Sequence, residues 1–194
     1  MVIQELDRYK RLWHTYKNSD ELMPKYQKQI SNELYTMNIH LANERHACVL
    51  SFDVDGIQQY LNHKPAKEIP IVDLEKIIER DLEISKESYA EVQKVVCKPN
   101  PKCHKYKTLI VLHFEELQYH CLLDGKHRYT ECKLQKKSKI TVKTINSFDA
   151  SHYIVTQKAF VEYAILHNAV ILTEYVYKQR NSLENLIRIE NHLK

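Results

Sequence analysis

This chain has few glycines and tryptophans, a small net charge and no long apolar run. Of its 194 residues, only 2 are glycine and 1 is tryptophan. No apolar stretch approaches the roughly 18 residues of a transmembrane helix, so we expect no membrane as a partner. The formal net charge is only +4, which excludes the overall electrostatic signal of a basic nucleic-acid-binding domain.

Cysteine usage argues against a disulfide-stabilised secreted protein. The chain has five cysteines, an odd number, and its N-terminal segment is amphipathic and charged where a secretory signal peptide would be apolar. We therefore expect a cytoplasmic protein with reduced thiols. Cys97 and Cys103 are separated by more residues than a zinc knuckle usually has, so we expect ordinary cysteines and no metal site there.

The chain does have enough apolar sequence for a core, and one stretch of it is especially informative. The hydrophobic fraction is 43%, which is ordinary for a globular protein. Residues 119–123 end in two leucines, as a buried strand does. Asp124 and Gly125 then predict a tight turn, because glycine adopts φ > 0 without a Cβ penalty. Since glycine is so rare here, we expect a specific geometric reason for Gly125.

Three cation-capable side chains follow this turn, at the start of a helix predicted over residues 126–135. They are Lys126, His127 and Arg128. The free N–H groups and the positive dipole end of a helix N-terminus favour anions, so the spacing predicts a phosphate-binding turn. The alternative is a structural corner in which Asp124 caps the helix and Arg128 forms an ion pair.

The segment Asp124-Gly125-Lys126-His127-Arg128 resembles the D-G-x-H-R motif of the ParB/sulfiredoxin-like superfamily. In those proteins a strand leads into this turn, and the following helix holds phosphates. Three neighbouring segments resemble the family's strands in the same order: residues 69–74, 109–112 and 140–143. The resemblance spans about residues 66–146. It implies an α+β fold with a small mixed sheet and packed helices.

The local patterns predict the elements of this core and of its flanks. In the core, strands are predicted over residues 69–72, 107–114, 119–123 and 140–145, and helices over residues 73–81, 85–96 and 126–135. Outside it, helices are predicted over residues 2–17, 24–44, 156–179 and 181–193, a strand or buried turn over 47–52, a loop over 53–56 and a short helix over 57–61.

These elements divide the chain into three expected parts. Residues 1–65 form an N-terminal helical extension, residues 66–148 the core, and residues 149–194 a C-terminal helical pair. The last two helices lack a turn and a basic recognition helix of the helix-turn-helix kind, so a packing or homodimer role is expected for them.

The resemblance implies nucleotide binding at the turn. Gly125 would let the backbone approach a phosphate, the amides of Lys126 and His127 would donate to it, and Arg128 would grip two of its oxygens. Sulfiredoxins carry a cysteine at the position of Lys126, so reduction of sulfinic acids is not expected here.

The resemblance also implies a role as a phosphotransferase or NTP hydrolase, with Mg²⁺ arriving with the NTP. Such an enzyme needs a carboxylate, and Glu79 and Asp81 are the candidates by position. This segment lacks the proline that the family usually carries, and the alternative for both acids is a solvated helix face. His127 is a third candidate catalytic group, because its charge changes near neutral pH.

Two other functions compete with nucleotide chemistry. The first is a DNA-associated protein, ParB-like or nuclease-like, assisted by the lysines of residues 133–139. A solvated basic turn is the favoured interpretation of those lysines. The second is a non-catalytic regulatory scaffold that keeps the fold. Membership of a fold family does not choose among these functions.

Overall fold

The computed structural model describes residues 2–28, 33–40, 47–96, 108–177, 183 and 185–193. In this part of the chain the protein has the α+β fold that the sequence predicts. The α-helices are α1 (Val2–Tyr16), α2 (Val54–Leu61), α3 (Ile71–Ile77), α4 (Glu79–Ile84), α5 (Lys86–Val96), α6 (Lys126–Leu134), α7 (Ser147–Ser151), α8 (Gln157–Tyr177) and α9 (Ile189–His192). The strands are β1 (Leu34–His40), β2 (Ala47–Asp53), β3 (Lys67–Pro70), β4 (Leu109–Phe114), β5 (Tyr119–Asp124) and β6 (Lys139–Asn146).

The described chain divides into two compact units. One comprises residues 1–55 together with 151–194, and the other comprises residues 56–150. The expected core, residues 66–148, lies inside the second unit. The segments expected as separate N- and C-terminal extensions contribute mainly to one unit.

The first unit contains a β-hairpin where the sequence predicts a helix. Strands β1 and β2 pair antiparallel, so the helix predicted over residues 24–44 is wrong for residues 34–40. Pairing with β2 decides the outcome, because a strand is stabilised by its cross-strand neighbours rather than by local propensity. The loop predicted over residues 53–56 is also wrong, since α2 begins at Val54.

Backbone hydrogen bonds join the two ends of the chain in this unit. The Met23 N–H donates to the Val155 carbonyl at 2.8 Å, and the Asp53 N–H donates to the Tyr153 carbonyl at 2.9 Å. The long helix predicted over residues 156–179 is confirmed as α8, which packs against α1 and β2. The helix predicted over residues 181–193 is wrong for most of its described part, where only α9 is an α-helix.

The second unit is built on a four-stranded mixed sheet in the order β3–β6–β4–β5. Strands β4 and β6 are parallel, and the other neighbours are antiparallel. All four strands occur in the predicted chain order. The predicted first strand is wrong at residues 71–72, where α3 begins, because Pro70 has the φ of a helix start and no N–H for a sheet ladder. The single helix predicted over residues 73–81 is broken at Ile78 into α3 and α4.

The core of this unit fixes the place where β5 leads into α6. Strand β4 is buried along most of its length. The core cluster takes side chains from α3, β4, β5, α6 and β6 and from Ile78 between α3 and α4. Its other members include Leu74, Leu109, Val111, Leu122, Tyr129, Cys132 and Val142. Because α6 is held by its own buried side chains, its N-terminal turn has a defined position. None of the helices in the described part of the chain has both the length and the apolar character to cross a lipid bilayer.

Candidate phosphate site

Gly125 forms the bend between β5 and α6 that the sequence predicts. Its φ is +101°, and it occupies the N-cap position of α6. A Cβ at this residue would lie 2.3 Å from Cδ2 of Leu109. Glycine is therefore required by the left-handed backbone of the predicted turn and by the close packing on β4, and the approach of a phosphate to Gly125 stays a prediction.

The amides of the first turn of α6 have no side-chain cap. The first helical bond of this turn runs from the Tyr129 N–H to the Gly125 carbonyl at 2.8 Å. The amides of His127 and Arg128 come before it and have no carbonyl within the helix to bond, and no side-chain hydrogen bond caps this helix start. The structural corner considered above, with Asp124 as the cap, is thus not the observed geometry. Asp124 instead accepts a hydrogen bond from Nε2 of Gln58 at 2.8 Å.

The side chain of Gln58 lies beside the turn and, in the part of the chain that the structure describes, has a polar atom without a hydrogen-bond partner. Its side chain is 9% exposed, and its Oε1 atom is buried without a hydrogen-bond partner among the described residues. A buried carbonyl oxygen without a partner costs about 1–3 kcal/mol. The neighbourhood of Asp124 therefore keeps an acceptor that the fold itself does not use.

Arg128 lies half-buried in the first turn of α6. Burial lowers the pKa of its guanidinium, against the opposing effect of the Asp124 carboxylate. Within the described residues this guanidinium forms no hydrogen bond and no ion pair closer than 4 Å, so the ion pair of the structural alternative is not observed. A partly desolvated cation of this kind gains when an anion supplies the missing contacts.

The other two cations of the motif have different surroundings. The Lys126 ammonium lies 5.0 Å from the ring centroid of Tyr89 and 3.5 Å from Oγ of Ser88, both on α5. His127 is exposed to solvent. The fold thus brings Gly125, Lys126, His127 and Arg128 together on one helical turn, with Asp124 directly before them.

Asp81, a predicted catalytic acid, is buried, and both of its carboxylate oxygens accept hydrogen bonds within the fold. Its side chain is 1% exposed. Its carboxylate accepts hydrogen bonds from the hydroxyls of Tyr119 at 3.0 Å, Tyr89 at 3.0 Å and Ser85 at 3.2 Å, and from the Leu122 N–H at 3.1 Å. A carboxylate has about four lone-pair sites, so no site is left for a proton donor or a metal.

The predicted catalytic group is therefore not assembled as sequence reasoning placed it. Asp81 ties α4 to β5, and Glu79 is exposed at the start of α4. The described residues contain no group of three or more His, Cys, Asp or Glu side chains that would hold a metal ion. Asp81 does not fit a Mg²⁺ ligand, because its oxygens already accept four bonds. Cys97 and Cys103 lie outside the described residues.

A groove between α5 and α6 runs beside the motif. Its volume is about 530 Å³, within the size range of small-molecule sites. The rings of Tyr89 and Tyr129 meet edge to face along it, with centroids 5.8 Å apart. The charged residues that line it are both lysines, Lys86 and Lys133. None of residues 124–128 lines the groove, and the link between the groove and the motif is Lys126, whose ammonium contacts the ring of Tyr89.

Lys133 is held at the far end of this groove by an ion pair. Its ammonium lies 2.7 Å from Oε1 of Glu75, and the Tyr129 hydroxyl donates to the same oxygen at 2.7 Å. Partial burial alone would raise the pKa of Glu75, but these two donors outweigh it, so this pKa lies below its usual value. One cation of the groove is thus positioned before any ligand arrives.

The tyrosines of this unit are residues that the sequence analysis did not single out. Tyr89, Tyr119 and Tyr129 each donate their hydroxyl to a carboxylate in this unit. One signal was present in the sequence: Lys86, Tyr89 and Gln93 share a helical face, as do Tyr129 and Lys133. That two such faces oppose each other depends on the tertiary fold.

Comparison with protein-family models, with curated proteins and with solved structures found no match for this chain.

Proposed function

We propose that this protein binds the phosphates of a nucleoside triphosphate at the Gly125–Arg128 turn, with the rest of the nucleotide in the groove between α5 and α6. The observation that carries the proposal is the half-buried guanidinium of Arg128, which has no hydrogen-bonding or ion-pair partner among the described residues and lies on the uncapped first turn of α6. Uncapped amides and a guanidinium together match the oxygens of a phosphate group.

The groove supplies what a nucleotide needs beyond its phosphates. Aromatic rings offer stacking or edge contacts to a base, and a lining whose charged groups are lysines disfavours cationic ligands. The resemblance to the ParB/sulfiredoxin-like superfamily supports the same choice of ligand class. That family is part of the proposal, together with a cytoplasmic location, which suits the buried cysteines Cys48, Cys121 and Cys132 because none of them forms a disulfide.

Binding without phosphoryl transfer is the form of the proposal that the geometry favours. Transfer needs a group to orient the acceptor and a metal ion to neutralise charge. Asp81 is saturated by four donors, and Glu79 is exposed at a helix start. The proposed activity is therefore that of a nucleotide-responsive regulator, with Mg²⁺ carried by the nucleotide itself.

Isothermal titration calorimetry with ATP, CTP and GTP in the presence of Mg²⁺ tests this proposal. We expect the wild type to bind at least one of them, and Arg128→Ala to weaken that binding by about tenfold or more, since a lost charge-assisted hydrogen bond costs about 1.5–3 kcal/mol. Arg128→Lys keeps the charge but loses the planar fork, so an intermediate affinity is expected.

Arg80→Ala is the matched control, because it removes the same charge from an exposed position in the same unit, where Arg80 packs over the Tyr119 ring. It should leave nucleotide affinity within about twofold. Absence of binding of all three nucleotides by the folded wild type contradicts the proposal. An equal loss of nucleotide affinity in both arginine variants would mean that the overall charge of the protein, and not Arg128 in particular, determines binding.

DNA association remains a prediction that no observation in the structure favours. Of the lysines over residues 133–139, Lys133 pairs with Glu75 at 2.7 Å and Lys139 with Glu68 at 3.5 Å. These contacts fit the solvated basic turn. A gel-shift titration at low and moderate salt tests the alternative, because binding by charge alone weakens steeply as salt rises.

A further inference from the structure

We infer that Asp81 is a positioning residue of the proposed nucleotide site, acting through Tyr89 on Lys126. The inference rests on the proposed function, and it gives Asp81 a role other than the catalytic one that its sequence position suggests. Asp81 is not part of the turn and does not itself line the groove. Its effect is carried by one hydroxyl, that of Tyr89, which belongs to the groove.

Asp81 is itself held rigidly. Asp81 lies on α4, and its four donors are Ser85 between α4 and α5, Tyr89 on α5, and Tyr119 and Leu122 on β5, so the carboxylate is fixed with respect to α5 and β5. Burial of a carboxylate is costly unless such donors compensate it. A buried group with this many partners has a single well-defined position.

Asp81 is coupled to the groove through Tyr89. Helix α5 has no buried residue of its own, so its position relies on side chains such as Tyr89 that reach beyond it. The Tyr89 hydroxyl is 3.0 Å from Oδ2 of Asp81, while its ring lies 5.0 Å from the Lys126 ammonium and 5.8 Å from the Tyr129 ring centroid. Holding the hydroxyl therefore fixes the ring against which Lys126 rests.

The chain provides a matched control for this coupling. Tyr119 donates to Oδ1 of Asp81 at 3.0 Å, as Tyr89 does to Oδ2 at the same distance. Tyr119 lies on β5 and does not line the groove. Tyr89→Phe and Tyr119→Phe thus remove equivalent hydroxyls from one carboxylate, and only the first removal affects the groove. Both variants keep the ring and avoid the four unsatisfied donors that Asp81→Ala would leave.

Two measurements on the full chain test the inference. The first needs no nucleotide: the rate of lysine acetylation by an N-hydroxysuccinimide ester, followed by mass spectrometry, with Lys139 as internal reference. We expect Tyr89→Phe to raise the Lys126 rate at least about twofold and Tyr119→Phe to leave it unchanged. The second is ATP affinity, which should fall about three- to tenfold in Tyr89→Phe and stay within twofold in Tyr119→Phe.

A double-mutant cycle separates positioning from a general structural effect. In a Lys126→Gln background, Tyr89→Phe should cause no further loss of ATP affinity, because its effect passes through Lys126. Additive losses overturn the inference, and so does a Lys126 acetylation rate that is unchanged in Tyr89→Phe or raised equally in both phenylalanine variants. If the wild type binds no nucleotide, the proposed function fails, while the acetylation rates still decide whether Asp81 controls Lys126.

Discussion

At the scale of single residues, both the fold and the proposed site depend on Gly125. Its φ of +101° and the 2.3 Å approach of a Cβ to Leu109 make any side chain unfavourable. We expect Gly125→Ala to destabilise the protein by about 2–4 kcal/mol, from left-handed strain and overpacking together. Chemical denaturation of the purified variant measures this cost.

The chain offers its only other glycine as the control for that experiment. Gly56 lies within α2 and has no positive φ. Gly56→Ala should leave stability unchanged or raise it by up to about 1 kcal/mol, because alanine loses less conformational freedom in a helix. Equal destabilisation by both substitutions contradicts the argument for Gly125.

At the scale of secondary-structure elements, α5 is the helix that depends most on its neighbours. It has no buried residue, whereas β4 is buried along most of its length. Helix stability in proteins comes mainly from tertiary packing, so α5 should open at low free energy. We expect its amides to exchange much faster than those of β4 in the free protein, and to slow at least several-fold when ATP fills the adjacent groove.

Native-state hydrogen exchange with mass spectrometry measures both expectations. Peptides from α1, which lies in the other unit, serve as the reference in the same samples. Protection of α5 equal to that of β4 without ligand contradicts the first expectation. Slowing that is as large in α1 as in α5 indicates global stabilisation instead of a local ligand.

Some of the secondary-structure elements could be predicted from the sequence, and others could not. Strands β4, β5 and β6 and the turn at Gly125 were predictable, because apolar runs and a lone glycine are local signals. Strand β1 was not, since Leu34, Met37 and Leu41 also fit a helical spacing. Its pairing with β2 is a tertiary event that local periodicity does not contain.

The candidate site was predictable only in part, for a related reason. The motif residues are contiguous, so their joint position on one turn follows from the sequence. The surroundings of Asp81 do not, because two of its donors, Tyr119 and Leu122, are distant in sequence. A charge in a densely charged segment is usually solvated, and only these distant donors make its burial favourable.

At the scale of the whole molecule, one unit is formed by a single continuous stretch of the chain and the other by two separate stretches. The second unit is continuous, residues 56–150, and contains the motif, the groove and Asp81. The first unit needs both chain ends. The Ser51 carbonyl of β2 accepts a hydrogen bond from the Val155 N–H at 2.9 Å. The Glu21 carbonyl accepts one from the Gln157 N–H at 2.9 Å.

A chain that ends at Ala150 should therefore lose the first unit and keep the second. Removal of residues 151–194 takes away α8, which packs against α1 and β2, and exposes their buried side chains. Hydrogen exchange should show β1 and β2 unprotected and β4 to β6 protected, and calorimetry should show ATP affinity within about threefold of the full chain. Because the site lies wholly within residues 56–150, retained folding of those residues with loss of ATP binding would contradict its placement there.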